Sequence, residues 1–553
     1  MLNRVCRAMA VLGGLLLLFI TFSIAYSIVT RKLNLPTPVW VVQFNEYALL
    51  WVPFLATGWI LSRNQHVSVQ FLVQYLGRKG RKTLDIIHNF VGMVLCGIFC
   101  WYGIATTWDH YVRGVIDVAS VDVPKAYALV IIPVGFFLLT LQFLSKFLSV
   151  PLIKDPFAVF SAPWFAGRLE CQVVIVVRHP AAFASSLKRH MFHSNIAYDT
   201  IDVLDRWLGR VPGRLSLLAA LSGTIFAATS GSTMANTAML GSMLLPEMRK
   251  RGYSSSMSVG PIVGVGGLAM LIPPSALAVV LASIGKISVG QILVAGVIPG
   301  VILGAFFAGY IILSAWLNPS IAPRYQAQSD SLSRRLYLTV KYLLPMAFII
   351  FMVLGVIVVG IATPTEAAAS GFVATMVVAI AYKRFTWGAL RATLTGSLQI
   401  TGMVFMIIAA SKTFSSILAF TGASGGLTDL VQGLEVHPLI IVVCMQLIIA
   451  FMGTFMETVS IMMICLPVFM PICGVLGLNP VWFGVLMLIN LEMGQMTPPF
   501  GMLLFVMKGV APKDITIQQI CLASVPYIVF DVLIMAMVIA WPSLALWLPG
   551  FVQ

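Results

Sequence analysis

The chain has 553 residues, of which 59% are hydrophobic and only 10% charged. A soluble domain carries about 25% charged residues, so this chain cannot clothe a water-facing surface of its size, and lipid is its main solvent. Its formal net charge of +15 would suggest nucleic acid in a soluble protein. Here the excess sits in short loops, with Arg78, Lys79, Arg81 and Lys82 in one and Arg249, Lys250 and Arg251 in another. That pattern marks cytoplasmic loops and makes the lipid bilayer, with no nucleic acid, the partner.

The first apolar run, Val11–Val29, follows Arg4 and Arg7. It is too long for a signal-peptide core and no small-x-small cleavage site follows, so it reads as a membrane span. Val39–Leu61, Ile86–Thr106 and Ala126–Phe147 complete a four-span unit over residues 1–150. Each reaches the roughly 20 residues that cross a bilayer core. The loop Ser62–Thr83 is basic, while Thr107–Lys125 is mixed, with Asp109, Asp117 and Asp122. Both ends of the unit therefore belong in the cytoplasm, although Arg31 and Lys32 run against that orientation. Glu46, a carboxylate inside the second span, reads either as functional or as an interhelical hydrogen-bonding group. Cys96 and Cys100 lie one turn apart with no His or carboxylate to complete a metal set, and read as packing residues.

Residues 151–195 change character. The run Cys171–Val177 is too short to span; with the amphipathic stretch through Lys188, Arg189 and His190 it reads as one strand and one helix of a soluble α/β protein. Ser161-Ala162-Pro163-Trp164 and the stretch from Val176 through Arg178-His179-Pro180 to Arg189 resemble a fragment of a sulfotransferase. In that family the positions matching Arg178 and Ser186 bind the 3′-phosphate of the sulfate donor. The strand–loop–helix that cradles the 5′-phosphosulfate has no counterpart here, so the resemblance implies no complete transferase site.

Residues 196–553 contain an internal repeat. One constant offset relates Pro246 to Pro471, Gly252 to Gly477, and Pro273-Pro274 to Pro498-Pro499. In each copy a short apolar run breaks at small polar residues and a second short run follows. The break is Thr229-Ser230-Gly231-Ser232-Thr233 in the first copy and Gly453-Thr454, followed by Glu457-Thr458, in the second. Runs such as Leu217–Ala228 are too short to span, which is the pattern of a re-entrant hairpin. Further on, a spanning helix is interrupted at Ile272-Pro273-Pro274-Ser275 and again at Thr497-Pro498-Pro499, because paired prolines remove two amide donors. Non-helical backbone at membrane depth persists only where it lines a cavity or is buried in protein. Freed carbonyls and hydroxyls there can coordinate a hard cation such as Na⁺, and helix N-termini can face an anion. The fold expected is thus an all-α polytopic membrane protein. A four-helix N-terminal unit precedes an inverted-repeat transporter domain with two re-entrant hairpins. Two apolar stretches, Ala367–Ala381 and Gly396–Ala410, precede the second copy; the foreign segment stands where their partners should precede the first.

Ser230-Gly231-Ser232-Thr233-Met234-Ala235-Asn236, Gly360 through Ala367, and Asn490-Leu491-Glu492-Met493-Gly494 with Thr497-Pro498-Pro499 resemble the large membrane subunit of tripartite ATP-independent periplasmic (TRAP) transporters. Trp51-Val52-Pro53-Phe54 and His66-Val67-Ser68-Val69 give the first four spans a resemblance to the small subunit. The resemblance implies a Na⁺-driven importer of an organic anion in the bacterial inner membrane, supplied by a periplasmic substrate-binding protein, with no other cofactor and no enzymatic activity. It also implies an elevator-type movement of the transporter domain. By matching motif it places the ion and substrate sites at Ser230, Gly231, Ser232 and Asn236, at Gly453, Thr454 and Glu457, and at Pro273, Thr497 and Pro498. Na⁺ is expected near Ser230, Ser232, Thr454 and Thr497. Glu457 and Glu492 are the carboxylates best placed to put charge beside an ion site, whereas Glu366, after Pro364-Thr365, reads as a helix cap. The alternatives are a membrane-tethered transferase using the Arg178 segment, an inactive truncated fusion, and an elevator family without a binding protein. The leading four-helix unit argues against the last. No Walker motif is present for ATP hydrolysis.

Overall fold

The computed structural model describes residues 2–33, 35, 38, 40–62, 78–117, 121–149, 196–209, 211–230, 233–273, 275–323, 331–359, 362–382, 385–433, 436–512 and 514–551. The foreign segment 151–195 lies outside them. Beyond one two-stranded β-pair, the regular structure of the described residues is helical. Six of these helices are long and apolar enough to cross a membrane, so the chain is an all-α polytopic membrane protein. It divides into two compact units, Met1–Ala166 with Ala368–Ala410, and Gly167–Ala367 with Ser411–Gln553.

The first unit contains α1 (Leu2–Lys32), α2 (Trp40–Ser62), α3 (Arg78–Val112), the pair β1 (Ile116–Asp117) and β2 (Val123–Pro124), α4 (Lys125–Leu129) and α5 (Ile131–Ser149). α1 packs on α2, and α5 packs on both α2 and α3. Cys6, Ala10, Ile20 and Ile24 interleave with Ala48, Val52, Ala56 and Ile60, and Ala369 and Leu398 join the same core. α2 is helical where a span is expected, but Gln43, Asn45 and Glu46 lower its hydropathy and it is not among the six. Its buried polar groups are satisfied, as backbone and side chains in lipid require. Ser23 donates to Asn45 at 2.8 Å. Gln43 donates to the Val121 carbonyl at 2.7 Å and accepts from the Val121 N–H at 2.8 Å. Tyr47 donates to Asp117 at 2.6 Å. α2 thereby fixes the loop that carries the β-pair. Glu46 is exposed on α2.

The second unit opens with α6 (Ile196–Leu208), whose Asp205 pairs with Arg214 at 2.6 Å. The first copy of the repeat follows as α7 (Arg214–Ser230), α8 (Thr233–Lys250), α9 (Ser255–Gly267), α10 (Ala276–Gly285), α11 (Val289–Ala295) and α12 (Val297–Leu317). After a run from Leu332 to Val358 that alternates α- and π-helix come α13 (Pro364–Ala381) and α14 (Trp387–Phe420), which from Ala368 to Ala410 belong to the first unit, and then α15 (Ala423–Gly433). The second copy is α16 (Pro438–Gly453), α17 (Thr458–Val475), α18 (Pro480–Met496), α19 (Met502–Val510) and α20 (Ile517–Ala540).

The two copies correspond in element order, with α11 and α12 together matching α20, and the likeness extends to the caps. Gly252 and Gly477 end equivalent helices with φ of 79° and 64°, a conformation that favours glycine. Ser288 caps α11 and Thr516 caps α20, each accepting from a Gln N–H one turn on. These two caps stand slightly further apart than Gly252 and Gly477 do, so the second copy carries a short insertion before α20. Contacts between the copies are reciprocal. α8 packs on α19 as α17 packs on α10, and α9 on α19 as α18 on α10. Exchange of this kind is what a two-fold relation between repeats produces. α9 and α18, equivalent to each other, also cross: a Cβ added at Gly267 would lie 2.4 Å from Cγ of Glu492. Gly267 and Glu492 are related by the same offset as Gly252 and Gly477, so a position meets its own counterpart, as happens only near the axis.

Candidate functional site

In each copy the hairpin arms pack on a broken helix. In the first, α9 tightens into a 3₁₀ turn at Leu268–Met270, after which the Ile272 N–H reaches back to the Leu268 carbonyl at 2.9 Å. Pro273 is buried in the bend, and Ser275 caps α10 by accepting from the Ala278 N–H at 3.3 Å. Pro274 lies outside the described residues. Both hairpin arms, α7 and α8, pack on the 3₁₀ turn. Gly231 and Ser232 lie outside the described residues; Ser230 ends α7, and its side chain is not described. Asn236, one turn into α8, is buried and donates to the Gly223 carbonyl on the facing arm at 3.0 Å, which ties the hairpin together. Its Oδ1 has no partner among the described residues.

In the second copy the tip meets the helix backbone to backbone. A Cβ on Gly453 would lie 2.9 Å from Cα of Gly494, and one on Gly494 would lie 2.8 Å from Cα of Gly453. Only a Gly–Gly pair admits so close an approach. Thr454 donates to the Phe451 carbonyl at 2.8 Å, and Thr497 to the Met493 carbonyl at 2.7 Å. Both hydroxyls are thus engaged with their own helix ends. Pro498 and Pro499 are joined by a cis peptide within the break. Glu457 caps α17, accepting from the N–H groups of Val459 and Ser460 at 3.1 and 3.3 Å. Its charge is therefore set against the positive end of a helix beside the tip. Glu366 is a cap, as its position predicts: it accepts from the Thr363 N–H at 2.8 Å while its own N–H donates to the Thr363 hydroxyl at 3.4 Å.

The carbonyls at the two breaks occupy equivalent positions with different neighbours. In the first copy Gly296 lets the Leu271 carbonyl come within 2.5 Å of where its Cβ would be. In the second, Ser524 donates to the Met496 carbonyl at 3.3 Å; it stands to Gly296 as Thr516 stands to Ser288. A similar substitution links the first hairpin arm to the broken helix. Gly223 packs on Val265 in one copy, while in the other Asn490 donates to the Gln446 carbonyl and side-chain oxygen at 2.6 and 2.9 Å. Motif spacing does not single out Gln446, Thr237, Ser524 or Asp531. The signal that does so is simpler: each is a polar side chain in an apolar membrane run, and each is fully or almost fully buried.

Comparison with known proteins follows the same division. The family described as "Tripartite ATP-independent periplasmic transporter, DctM component" matches residues 187–544, and the DctQ component of the same transporters matches residues 20–150. An uncharacterized protein of Salmonella typhimurium, YgiK, is 31% identical over 64% of this chain and 80% of its own length. The C4-dicarboxylate TRAP transporter large permease protein DctM of Pseudomonas aeruginosa is 32% identical over 65% of this chain and 83% of its own. The isethionate TRAP transporter permease protein DctMQ of Oleidesulfovibrio alaskensis is 28% identical over 63% of this chain and 54% of its own length.

Proposed function

The chain belongs to the tripartite ATP-independent periplasmic transporter family, with small- and large-component regions in one polypeptide, and we propose that it imports an organic anion by Na⁺ symport. As a membrane component of that family it is a multi-pass secondary transporter protein of the inner membrane. In this reading a periplasmic substrate-binding protein delivers a carboxylate such as a C4-dicarboxylate or a sugar acid, and the core carries it across by an elevator-like movement.

The observation that carries the ion-coupling part is the packing of each hairpin on a broken helix inside one fold unit. Helix breaks at membrane depth are stable only when buried or cavity-lining, and they leave carbonyls and helix ends for ions and anions. At the first tip Asn236 Oδ1 is a buried acceptor without a partner among the described residues, suited to a hard cation. At the second, Gly453 brings backbone against backbone, and Glu457 holds a carboxylate at the tip. The substrate class rests on the organic anions for which relatives are named.

The test is uptake by the full chain in proteoliposomes with its matching binding protein and a panel of organic acids, under an inward Na⁺ gradient or a choline gradient. Accumulation of one acid that requires both Na⁺ and the binding protein is the expected result. Equal uptake with choline would remove Na⁺ coupling from the proposal. Uptake without the binding protein would remove the tripartite mechanism.

A further inference from the structure

The second unit buries two carboxyl groups that neither the hairpin tips nor the breaks use. Glu492 on α18 and Asp531 on α20 are both 0% exposed. Among the described residues none of their side-chain oxygens has a hydrogen-bond partner. Glu492 presses on Gly267 of α9, where its Oε1 would lie 2.7 Å from an added Cβ. The register of α9 against α20 brings Asp531 to the same level. Gly260 meets Ala523 and Tyr527, and Gly264 meets Tyr527; the two helices therefore advance together, and one more turn sets Asp531 beside Gly267. Both carboxyl groups are in this way set against the same point of α9.

The helices around them bring no cation to balance that charge. α9, α10, α11, α12, α16, α17, α18 and α20 contain no Lys, Arg or His; on α7 and α8, which also pack on α9, Arg214 pairs with Asp205 and Arg249 with Asp514, and Lys250 is exposed at the far end of α8. Lys508 on α19 donates to the Ile515 carbonyl, and the Glu457 carboxylate is held by the N-terminus of its own helix. Two ionised carboxylates facing each other in a low dielectric, without donors, are untenable unless a cation sits with them. A third oxygen is directed at the same stretch of α9. The hydroxyl of Thr237, buried and without a partner among the described residues, would lie 2.0 Å from a Cβ at Gly266, next to the glycine that Glu492 touches.

The fold does not require these acids. By the repeat, Glu492 is equivalent to Gly267, at the offset of the glycine and proline pairs, and Asp531 to Leu303, at the slightly longer offset of Ser288 and Thr516. The same architecture is thus built in the first copy from glycine and leucine. The site is also distinct from the second tip: Gly494, which receives Gly453, follows Glu492 by half a turn and so lies on the opposite side of α18.

We propose that Glu492 and Asp531, with Thr237, hold one monovalent cation, a proton or Na⁺, at the crossing of α9, α18 and α20, separate from the hairpin tips. The experiment uses the purified full chain in detergent with two probes. Calorimetric titration with NaCl counts bound Na⁺, and infrared difference spectra in H₂O and D₂O report an undissociated carboxyl group. Both are repeated on E492Q, on D531N, and on the double variant Glu492→Gly with Asp531→Leu. The double variant carries the residues that the first copy tolerates, so it remains interpretable where a single variant fails to fold. For a proton, the native chain shows an undissociated-carboxyl band that the double variant lacks, with the Na⁺ count unchanged. For Na⁺, the count falls by one and no such band is lost. A folded double variant with an unchanged Na⁺ count and an unchanged carboxyl band would overturn the proposal and leave the pair as uncompensated packing residues.

Discussion

At the residue scale the second hairpin tip is held by the least material a protein can offer, two glycines in backbone contact. Gly494→Ala should push α16 and α18 apart and destabilise the unit by about 1–3 kcal/mol, the usual cost of overpacking. Thermal unfolding of the purified chain in detergent would register this, and an unchanged melting temperature would mean that the two backbones are not in contact. The Gln446–Asn490 pair offers a complementary case, because at Val265, the counterpart of Asn490, the first copy is met by a glycine of its hairpin arm, Gly223. Asn490→Val alone should cost about 1–2 kcal/mol by stranding the Gln446 oxygen. Adding Gln446→Gly, which restores the first copy's pairing, should recover part of the loss; a double variant as unstable as the sum of the two singles would show that the pair is not coupled. The glycines and prolines of this region are legible in the sequence because they break helices or recur at one constant offset. Of the acids and amides buried between helices, Asn490 and Glu492 stand in a motif, but Gln446 and Asp531 do not. Burial and pairing depend on which faces meet, and Asp531 has Leu303 as its counterpart in the other copy, so no polar repeat draws attention to it.

At the scale of the element, the sequence marks where helices stop more reliably than what their ends do. Gly252, Gly477, Pro273 and Pro498 stand where the structure turns or breaks, because lost amide donors and positive φ are local properties. The roles of Thr454, Thr497 and Glu457 depend on how a helix ends or begins, and each proves to bond the backbone of its adjoining helix end. Glu366 is the case in which local pattern sufficed, since Thr363-Pro364-Thr365-Glu366 forms a reciprocal cap. Thr363→Ala should therefore cost α13 about 1 kcal/mol and lower the melting temperature while leaving the Na⁺ dependence of uptake unchanged. A shift in the Na⁺ concentration for half-maximal uptake would place Glu366 at an ion site and contradict the capping role. α2 is helical where a span is expected, yet its hydropathy falls short of one. Its first turns are polar because they fasten the loop around Val121 and Asp117.

At the scale of the whole molecule, the repeat makes a prediction that neither hydropathy nor packing alone supplies. The exchanged contacts of α8 with α19 and α17 with α10, and the meeting of Gly267 with its counterpart Glu492, require a two-fold relation. They do not by themselves say whether its axis lies in the membrane plane. Charge does. Arg249, Lys250 and Arg251 crowd the end of α8, whereas the equivalent end of α17 carries Gly474, Val475 and Leu476. The positive-inside rule puts the first end in the cytoplasm and gives the second no reason to be there. An axis in the membrane plane, which sends equivalent loops to opposite faces, accounts for this asymmetry; an axis along the membrane normal would send both loops to one face. Lys250 and Val475 are equivalent by the offset of the repeat, and both are exposed. Single cysteines at these positions, Lys250→Cys and Val475→Cys, in a chain whose native cysteines are replaced by serine, should react differently with a membrane-impermeant maleimide applied to intact spheroplasts. Val475→Cys is expected to label from outside, and Lys250→Cys only after the membrane is opened. Labelling of both from the same side would show that the copies are parallel and would remove the geometric basis for alternating exposure of one central site to the two faces.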